Sequence, residues 1–337
     1  MGLKPEFRLT ANNADITATI KARLSSLRLT DAAGLEADHL EITLADHDDK
    51  NPLELPAEGA ELELWLGYDG KTEKMGLFIV DKVRLQGPPD SMVISAKASV
   101  QATSESGAGN TRQLLTTQKS RSWDAGTALG AMVQKIAEEH GLKPAVADSL
   151  ASVALPHVDQ VNESDMALLT RLAKDYGAIA KPAGGNLVLA PRAQSKTVSG
   201  QALPVIELDR KDLTNYSAEI SSRTKVGTVT AGWQDVDGAE LRLVSVGEGE
   251  PVHRVRHPFK DATGAEKAAR AQFQRMQRAA KTLTLTTPGN PALIAEAQIY
   301  LTGCRAAING FWVITRVTHN FNKTNYSCNA ACENPYQ

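Results

Sequence analysis

Cysteine is scarce, net charge is nearly absent and no apolar run is long; each shortage removes a class of protein. Cys304, Cys328 and Cys332 are an odd number with no C-x-x-C pair, so buried, reduced thiols are expected rather than a disulfide framework or a zinc site. Lys and Arg total 37 against 39 Asp and Glu, which leaves no overall field to draw the chain onto nucleic acid or anionic lipid. No stretch reaches the ~20 apolar residues of a membrane span, and Met1 to Thr19 lacks the apolar core of a secretory signal. Glu6 stands where a myristoylation pattern needs Ser or Thr. Folding in a cytoplasm without direct membrane insertion is the expectation.

Catalytic signatures are missing too. There is no G-x-S-x-G elbow, no H-E-x-x-H and no Walker sequence, so the commonest hydrolase, zinc-protease and nucleotide-binding patterns find no support. Asp46, Asp48 and Asp49 open like a calcium loop, but Lys50 takes the third ligand position with no glycine after it, and a hydrophilic turn is the plainer reading. His253 and His257 lie between Pro251 and Pro258 in extended chain, where they would be ~13 Å apart, too far to share a metal. Gly107 and Gly109 suggest a dinucleotide loop, yet Arg112 replaces its third glycine. Glu138 and Glu139 are adjacent on a helix and diverge by ~100°, which suits a solvated pair better than a glycosidase pair. No cofactor, metal or catalytic residue is expected.

What is present is β alternation and a repeat. With 337 residues, 42% of them hydrophobic, the chain is expected to fold as two or more domains. Leu62, Leu64 and Leu66 alternate with Glu61, Glu63 and Trp65 before a turn at Gly67 to Gly70, and residues 5 to 103 read as consecutive antiparallel strands. The run Gly76, Leu77, Phe78, Ile79, Val80, Asp81, Lys82, Val83 aligns without gaps on Gly310, Phe311, Trp312, Val313, Ile314, Thr315, Arg316, Val317, an offset of 234 (310 − 76). Only Asp81 against Thr315 is unlike in character. At the same offset Met92, Ile94, Ala96 and Ala98 fall on Tyr326, Cys328, Ala330 and Cys332, preserving the inward alternation. A second match, at offset 200 (217 − 17), sets Thr17, Ala18, Ile20 and Arg23 on Ser217, Ala218, Ile220 and Arg223. The change of offset predicts a second copy that starts near Leu203 and is split by an insertion.

Two segments lie outside the repeat. After a Gly/Ser/Thr-rich link, a helix from about Asp124 carries Leu129, Met132, Val133, Ile136, Ala137 and His140 at helical spacing and stops at Gly141. Ser164 caps a second helix with Leu169, Leu172, Ala173 and Tyr176 on its apolar stripe and Gly177 behind it. Leu187 to Leu189 adds a strand. In the second insertion, Thr263 and Glu266 have capping-box spacing ahead of a helix at about 263–281 with Ala269, Phe273, Met276 and Ala280 on its buried side. Its other side carries Lys267, Arg270, Arg278 and Lys281, a candidate basic face that is more simply a solvated one than a contact for DNA.

Several of these residues together resemble the phage late control gene D family, relatives of the baseplate hub of contractile tails and of the N-terminal hub region of type VI valine-glycine repeat proteins. The likeness spans nearly the whole chain. It rests on His39 to Asp48, Gly67 and Tyr68, Phe78 to Asp81 and Trp312 to His319, and in between on Gln160, Asn162, Glu163, Ser164, Asp165, Leu169, Arg171, Leu172, Ala173, Tyr176 and Gly177. The resemblance implies a homotrimer with two tube-like β-barrel domains per subunit, matching a hexameric tail tube to a trimeric spike. The implied partners are the tail tube protein, a separate central spike protein, other baseplate proteins and the tape-measure protein, with DNA in transit, in a virion or tailocin baseplate assembled in the host cytoplasm. Type VI relatives continue into a neck and spike after the second barrel, whereas this sequence stops at Gln337; a separate spike and no appended lysozyme are the expectation.

The expected fold is mainly β with α+β insertions. Residues 1–103 form a first barrel, 104–202 an α/β module, 203–235 with 288–337 a second, split barrel, and 236–287 an excursion. Phe78, Ile79, Val80 and Val83 with Trp312, Val313, Ile314 and Val317 are the candidate repeat-core strands. The expected function is a non-enzymatic structural hub. The alternatives are a peptidoglycan hydrolase using Glu163 and Asp165, and a DNA-binding late regulator using the 263–281 helix.

Overall fold

The computed structural model describes residues 4–33, 38–48, 51–57, 59–98, 115, 117–183, 186–192, 205–221, 226–235 and 238–335. Gly107, Gly109, Arg112, the Gly/Ser/Thr-rich link, Asp49, Lys50 and Arg223 lie outside the described residues.

The first region runs β1 (Pro5–Ala11), β2 (Ala14–Asp15), helix α1 (Thr17–Arg23), β3 (Leu24–Ala32), β4 (His39–Ala45), β5 (Glu61–Tyr68), β6 (Lys71–Gln86) and β7 (Ser91–Ala98). The alternating leucines of β5 all point inward, and Asp69 and Gly70, both at positive φ, make the tight turn into β6. A module follows with β8 (Gln118–Trp123), α2 (Leu129–Glu139), β9 (Lys143–Val146), α3 (Asp148–Ala151), β10 (Val158–Ser164), α4 (Asp165–Asp175), β11 (Ala178–Ala183) and β12 (Asn186–Pro191). It has its own core around Leu129, Met132, Ile136, Leu168 and Leu189. The Ser164 hydroxyl accepts from the Ala167 amide as an N-cap, and Gly177 takes positive φ past the helix end. The helix expected from Asp124 begins only at Leu129, because residues 124–127 turn, with the Thr127 amide donating to the Asp124 carbonyl.

The rest comprises β13 (Val205–Asp209), β14 (Asn215–Ile220), β15 (Thr228–Asp235), β16 (Glu240–Gly247), β17 (Val252–Arg254), α5 (Ala262–Ala279), β18 (Lys281–Pro288), β19 (Gln298–Thr302), β20 (Gly310–Phe321) and β21 (Tyr326–Glu333). β15 pairs with β16 and β17 in a small separate sheet covered by α5, while β18 joins the large sheet between β14 and β21. The segment that interrupts the second copy therefore lies between β14 and β18, not at 236–287: Thr228–Asp235 belongs to it and Lys281–Pro288 does not. Asp261, not Thr263, caps α5, its carboxylate accepting from the Gly264 amide.

One thirteen-stranded sheet carries both copies, in the order β14-β18-β21-β20-β3-β4-β7-β6-β5-β1-β2, with β19 branching off β20 and β13 beside β19. The order β14-β18-β21-β20-β19 repeats β3-β4-β7-β6-β5. The single unlike pair of the sequence match has a structural cause: Asp81 is skipped in the β6–β7 register between Val80 and Lys82, and Thr315 in the β20–β21 register between Ile314 and Arg316. Both are bulge residues at one structural position. The glycines before them match too, Gly76 at φ 150° and Gly310 at φ 119°, backbone that favours glycine.

Two details of the match are corrected. The β20–β21 hairpin closes one pair later, at Phe321 opposite Tyr326, against Gln86 opposite Ser91; strand pairing thus equates Ile94 with Ala330 and Ala96 with Cys332, two residues beyond the expected partners. The offset of 200 fails, because Thr17–Arg23 is a helix and Asn215–Ile220 a strand. Pairing makes β3 the counterpart of β14.

The two copies share one interior. β20 pairs with β3 from Arg316 opposite Ala32 to Phe321 opposite Leu27, and a single apolar cluster joins Leu27, Leu29, Phe78 and Leu64 to Leu285, Trp312, Ile314 and Phe321. Phe7 meets Phe321 edge-on at 5.3 Å and Tyr68 meets Tyr326 at 5.5 Å, so strands far apart in the sheet order touch as it wraps around this core. Among the described residues the strand path is open, ending at β14 and β2.

Candidate functional site

The densest polar cluster lies in the inserted module. Lys119 and Arg121, two apart on β8, project to one face toward Asp165, the first residue of α4, whose side chain is completely buried. Its carboxylate accepts from Lys119 Nζ at 2.6 Å, an Arg121 guanidinium nitrogen at 2.6 Å and Gln160 Nε2 at 2.9 Å, and lies 2.7 Å from His140 Nε2. Glu139 completes the group, its Oε2 accepting from Lys119 Nζ and both of its carboxylate oxygens accepting from Arg121 Nη1. Burial alone would push the Asp165 carboxyl up; hydrogen bonds from Lys119, Gln160 and His140 and the charge of Arg121 outweigh it and hold the group at about 2.

Glu139, His140 and Asp165 bring three ligand atoms within 4.8 Å of one another. Both Asp165 oxygens are already engaged by Lys119 and Arg121, so two side-chain cations occupy the place a metal ion would take. The arrangement is an ion-pair knot pinning β8, α2, β10 and α4 together. Sequence spacing did not reveal it; the available signal was Lys119 and Arg121 on one strand face. Glu163, beside it in sequence, is bound by Arg171 at 2.8 Å. With Asp165 sealed from solvent and Glu163 paired, the two carboxylates do not form an open cleft pair for cutting a polysaccharide.

The expected basic face of the 263–281 helix does not hold together. Arg278 is buried and pairs with Glu333 at 3.2 Å; burial lowers its affinity for the proton while Glu333 opposes that. Lys281 belongs to β18. Lys267 stands 5.7 Å over the Tyr176 ring at a cleft of about 470 Å³ between module and excursion, and Arg270 is exposed and paired with Glu266. The acidic run near residue 46 is likewise a local tie, Asp46 and Asp48 both facing Arg23.

The candidate repeat-core residues lie on β6 and β20. Phe78, Val80, Trp312, Ile314 and Val317 are buried in the common core, and Val83 packs at its margin. Ile79 is half-buried, and Val313 is buried outside that cluster. Below Val317 sits His319, fully buried: its Nδ1 accepts from the Tyr326 hydroxyl at 2.9 Å and its Nε2 donates to the Leu293 carbonyl at 3.1 Å, a tautomer assigned from these partners. Cys328 and Cys332 are buried free thiols and Cys304 is half-buried and free; burial pushes Cys328 up to about 11 and Cys332 to about 12.

No geometry above singles out a reaction; what it offers is strand edges and a repeated frame. Comparison with known proteins supplies the context. A family model described as "Phage tail baseplate hub (GPD)" matches residues 36–325. The chain is 31% identical over 96% of its length to the "Probable baseplate hub protein" of Escherichia phage 186, covering 92% of that protein. The crystal structure of the 43 kDa tail protein of prophage MuSo2 from Shewanella oneidensis has the same fold, with a TM-score of 0.72 at 15% identity over 98% of each chain. An E. coli type VI secretion component, c3393, is similar at a TM-score of 0.55 and 12% identity over 98% of this chain and 77% of its own. The order of motifs along the sequence, the fold and these matches agree, and the chain belongs to the phage tail baseplate hub family.

Proposed function

We propose that this chain acts as a homotrimeric, non-enzymatic adaptor that joins a hexameric tail tube to a trimeric central spike. The observation that carries this reading is the strand frame repeated within one chain and joined side by side at β20–β3. Three chains of two such units present six related surfaces toward a sixfold tube while keeping threefold symmetry toward a spike. The module and the α5 excursion, which have no counterpart in the first copy, mark every second unit and give the outer surface its threefold character. Tail tube, spike, other baseplate proteins and the tape-measure protein are the partners of this reading, with DNA passing the ring, in a particle assembled in the host cytoplasm. Among the described residues no helix is long and apolar enough to cross a membrane.

Electron microscopy and mass measurement of the purified chain, alone and with its tube and spike neighbours, test the proposal. The expected result is a threefold particle bound to tube at one end and spike at the other. Particles of another symmetry, or none that join both partners, sink it.

A further inference from the structure

The junction between copies inside the chain predicts the junction between chains. In β20, the stretch after the bulge pairs with β21 on one side and β3 on the other. The same stretch of β6, Lys82 to Gln86, pairs with β7 alone among the described residues, since β5 leaves it at Ile79. At the far end of the sheet β14, the counterpart of β3, has β18 alone among the described residues. Each chain therefore ends in the two halves of a junction it has already made once.

The side chains at these ends are those of an unfinished core. Val317 and His319 are 0% exposed, but Leu85, which corresponds to His319, is 60% exposed. Tyr216 and Ala218 on the inward face of β14 are only half-buried, whereas their β3 counterparts Leu27 and Leu29 are 1% and 2% exposed, and Ile220 on the same face is 49% exposed. Transferring the β20–β3 register onto β6 and β14 sets Val83 opposite Ile220, Arg84 opposite Glu219 and Leu85 opposite Ala218. Apolar residues meet on the inner face, and the outward pair is of opposite charge where the internal junction has Thr318 opposite Thr30. Pairing β6 with a second β6 about Arg84 would set like charges together, so a head-to-tail contact is favoured over a closed two-fold one.

We propose that β6 of one copy pairs antiparallel with β14 of the next, with Arg84 opposite Glu219, extending the wrapped sheet from chain to chain. This rests on the hub reading and supplies the residues of its subunit seam.

Mixing tests it. Full-length chains carrying Cys304→Ser and either Arg84→Cys or Glu219→Cys are mixed and treated with a short bis-maleimide. A cross-linked band that needs both variants is expected. Cross-linking of either variant with itself, or oligomers that form without any mixed cross-link, overturns the seam and leaves the hub reading standing. Chains that remain monomeric alone and with tube and spike overturn both. Arg84→Glu is expected to weaken association about tenfold with an unchanged thermal midpoint, and adding Glu219→Arg to restore it; assembly indifferent to Arg84→Glu contradicts the pairing.

Discussion

His319 shows how a single buried side chain makes this fold acid-sensitive. Burial lowers its pKa from the ordinary value near 6.5 to about 4, so the folded state holds it neutral between the Tyr326 hydroxyl and the Leu293 carbonyl. Its contribution is present above about pH 6.5 and is lost as pH falls toward 4, a swing of up to about 3 kcal/mol. His319→Gln should flatten the pH dependence in that window while costing about 1–3 kcal/mol at neutral pH for the disturbed Tyr326 partner. Urea midpoints from pH 7.5 to 4 check this, and parallel curves for variant and wild type contradict it. Asp165 titrates lower: held at about 2, it contributes above about pH 4 and loses that contribution as pH falls through 2. Asp165→Asn leaves Lys119 and Arg121 short of their buried carboxylate and should cost about 3 kcal/mol or more at neutral pH, whereas Glu139→Gln, at the partly exposed end of the knot, should cost under about 1 kcal/mol. Equal losses from the two variants would show that the knot has no buried centre.

At the scale of elements, legibility followed locality. β5, β6, β7 and β20 announce themselves because one face meets a core and alternation follows; Ser164 and Gly177 read correctly because capping is decided within a few residues. The offset-200 match failed because Thr17–Arg23 and the start of β14 share small and β-branched residues, and tertiary pairing rather than composition made one a helix and the other a strand. The cap of α5 was misplaced because Thr263 and Glu266 imitate a capping box two residues inside Asp261. The polar knot was unreadable because it joins residues up to 46 positions apart. Hairpin packing gives a further test. Gly289 donates its amide to the Tyr326 carbonyl, and a Cβ there would lie 2.1 Å from the Tyr326 ring. Gly289→Ala should force that ring from the core and lower stability by about 1–3 kcal/mol, read as a fall in thermal midpoint; an unchanged midpoint would mean the β18–β19 turn yields without cost.

For the whole molecule, the distribution of cores decides how it comes apart. Both β copies contribute to one apolar cluster through the β20–β3 junction, so neither can lose its strands without exposing the other's interior. The inserted module instead closes its own cluster and meets the sheet through polar ties such as Lys181 with Asp38 at 2.6 Å and Arg192 with Glu333 at 3.5 Å. Separate cores joined by such ties should unfold as separate cooperative units. Calorimetry of the full chain is expected to resolve two transitions. Leu29→Ala, which opens a cavity in the shared core, should cost about 2–5 kcal/mol and move one of them; Leu168→Ala, in the module core, should move the other by a comparable amount. Asp38 adds a pH signature to the interface. Burial and the neighbouring Asp31 raise its pKa to about 6 against the pull of Lys181, so its contribution is fullest at low pH and is lost as pH rises through 6. Asp38→Asn should therefore stabilise the protein more at pH 8 than at pH 5. A single transition shifted alike by both leucine variants would mean that the module and the two β copies fold as one unit, and would make the knot around Asp165 part of the same cooperative structure as the strands of the large sheet.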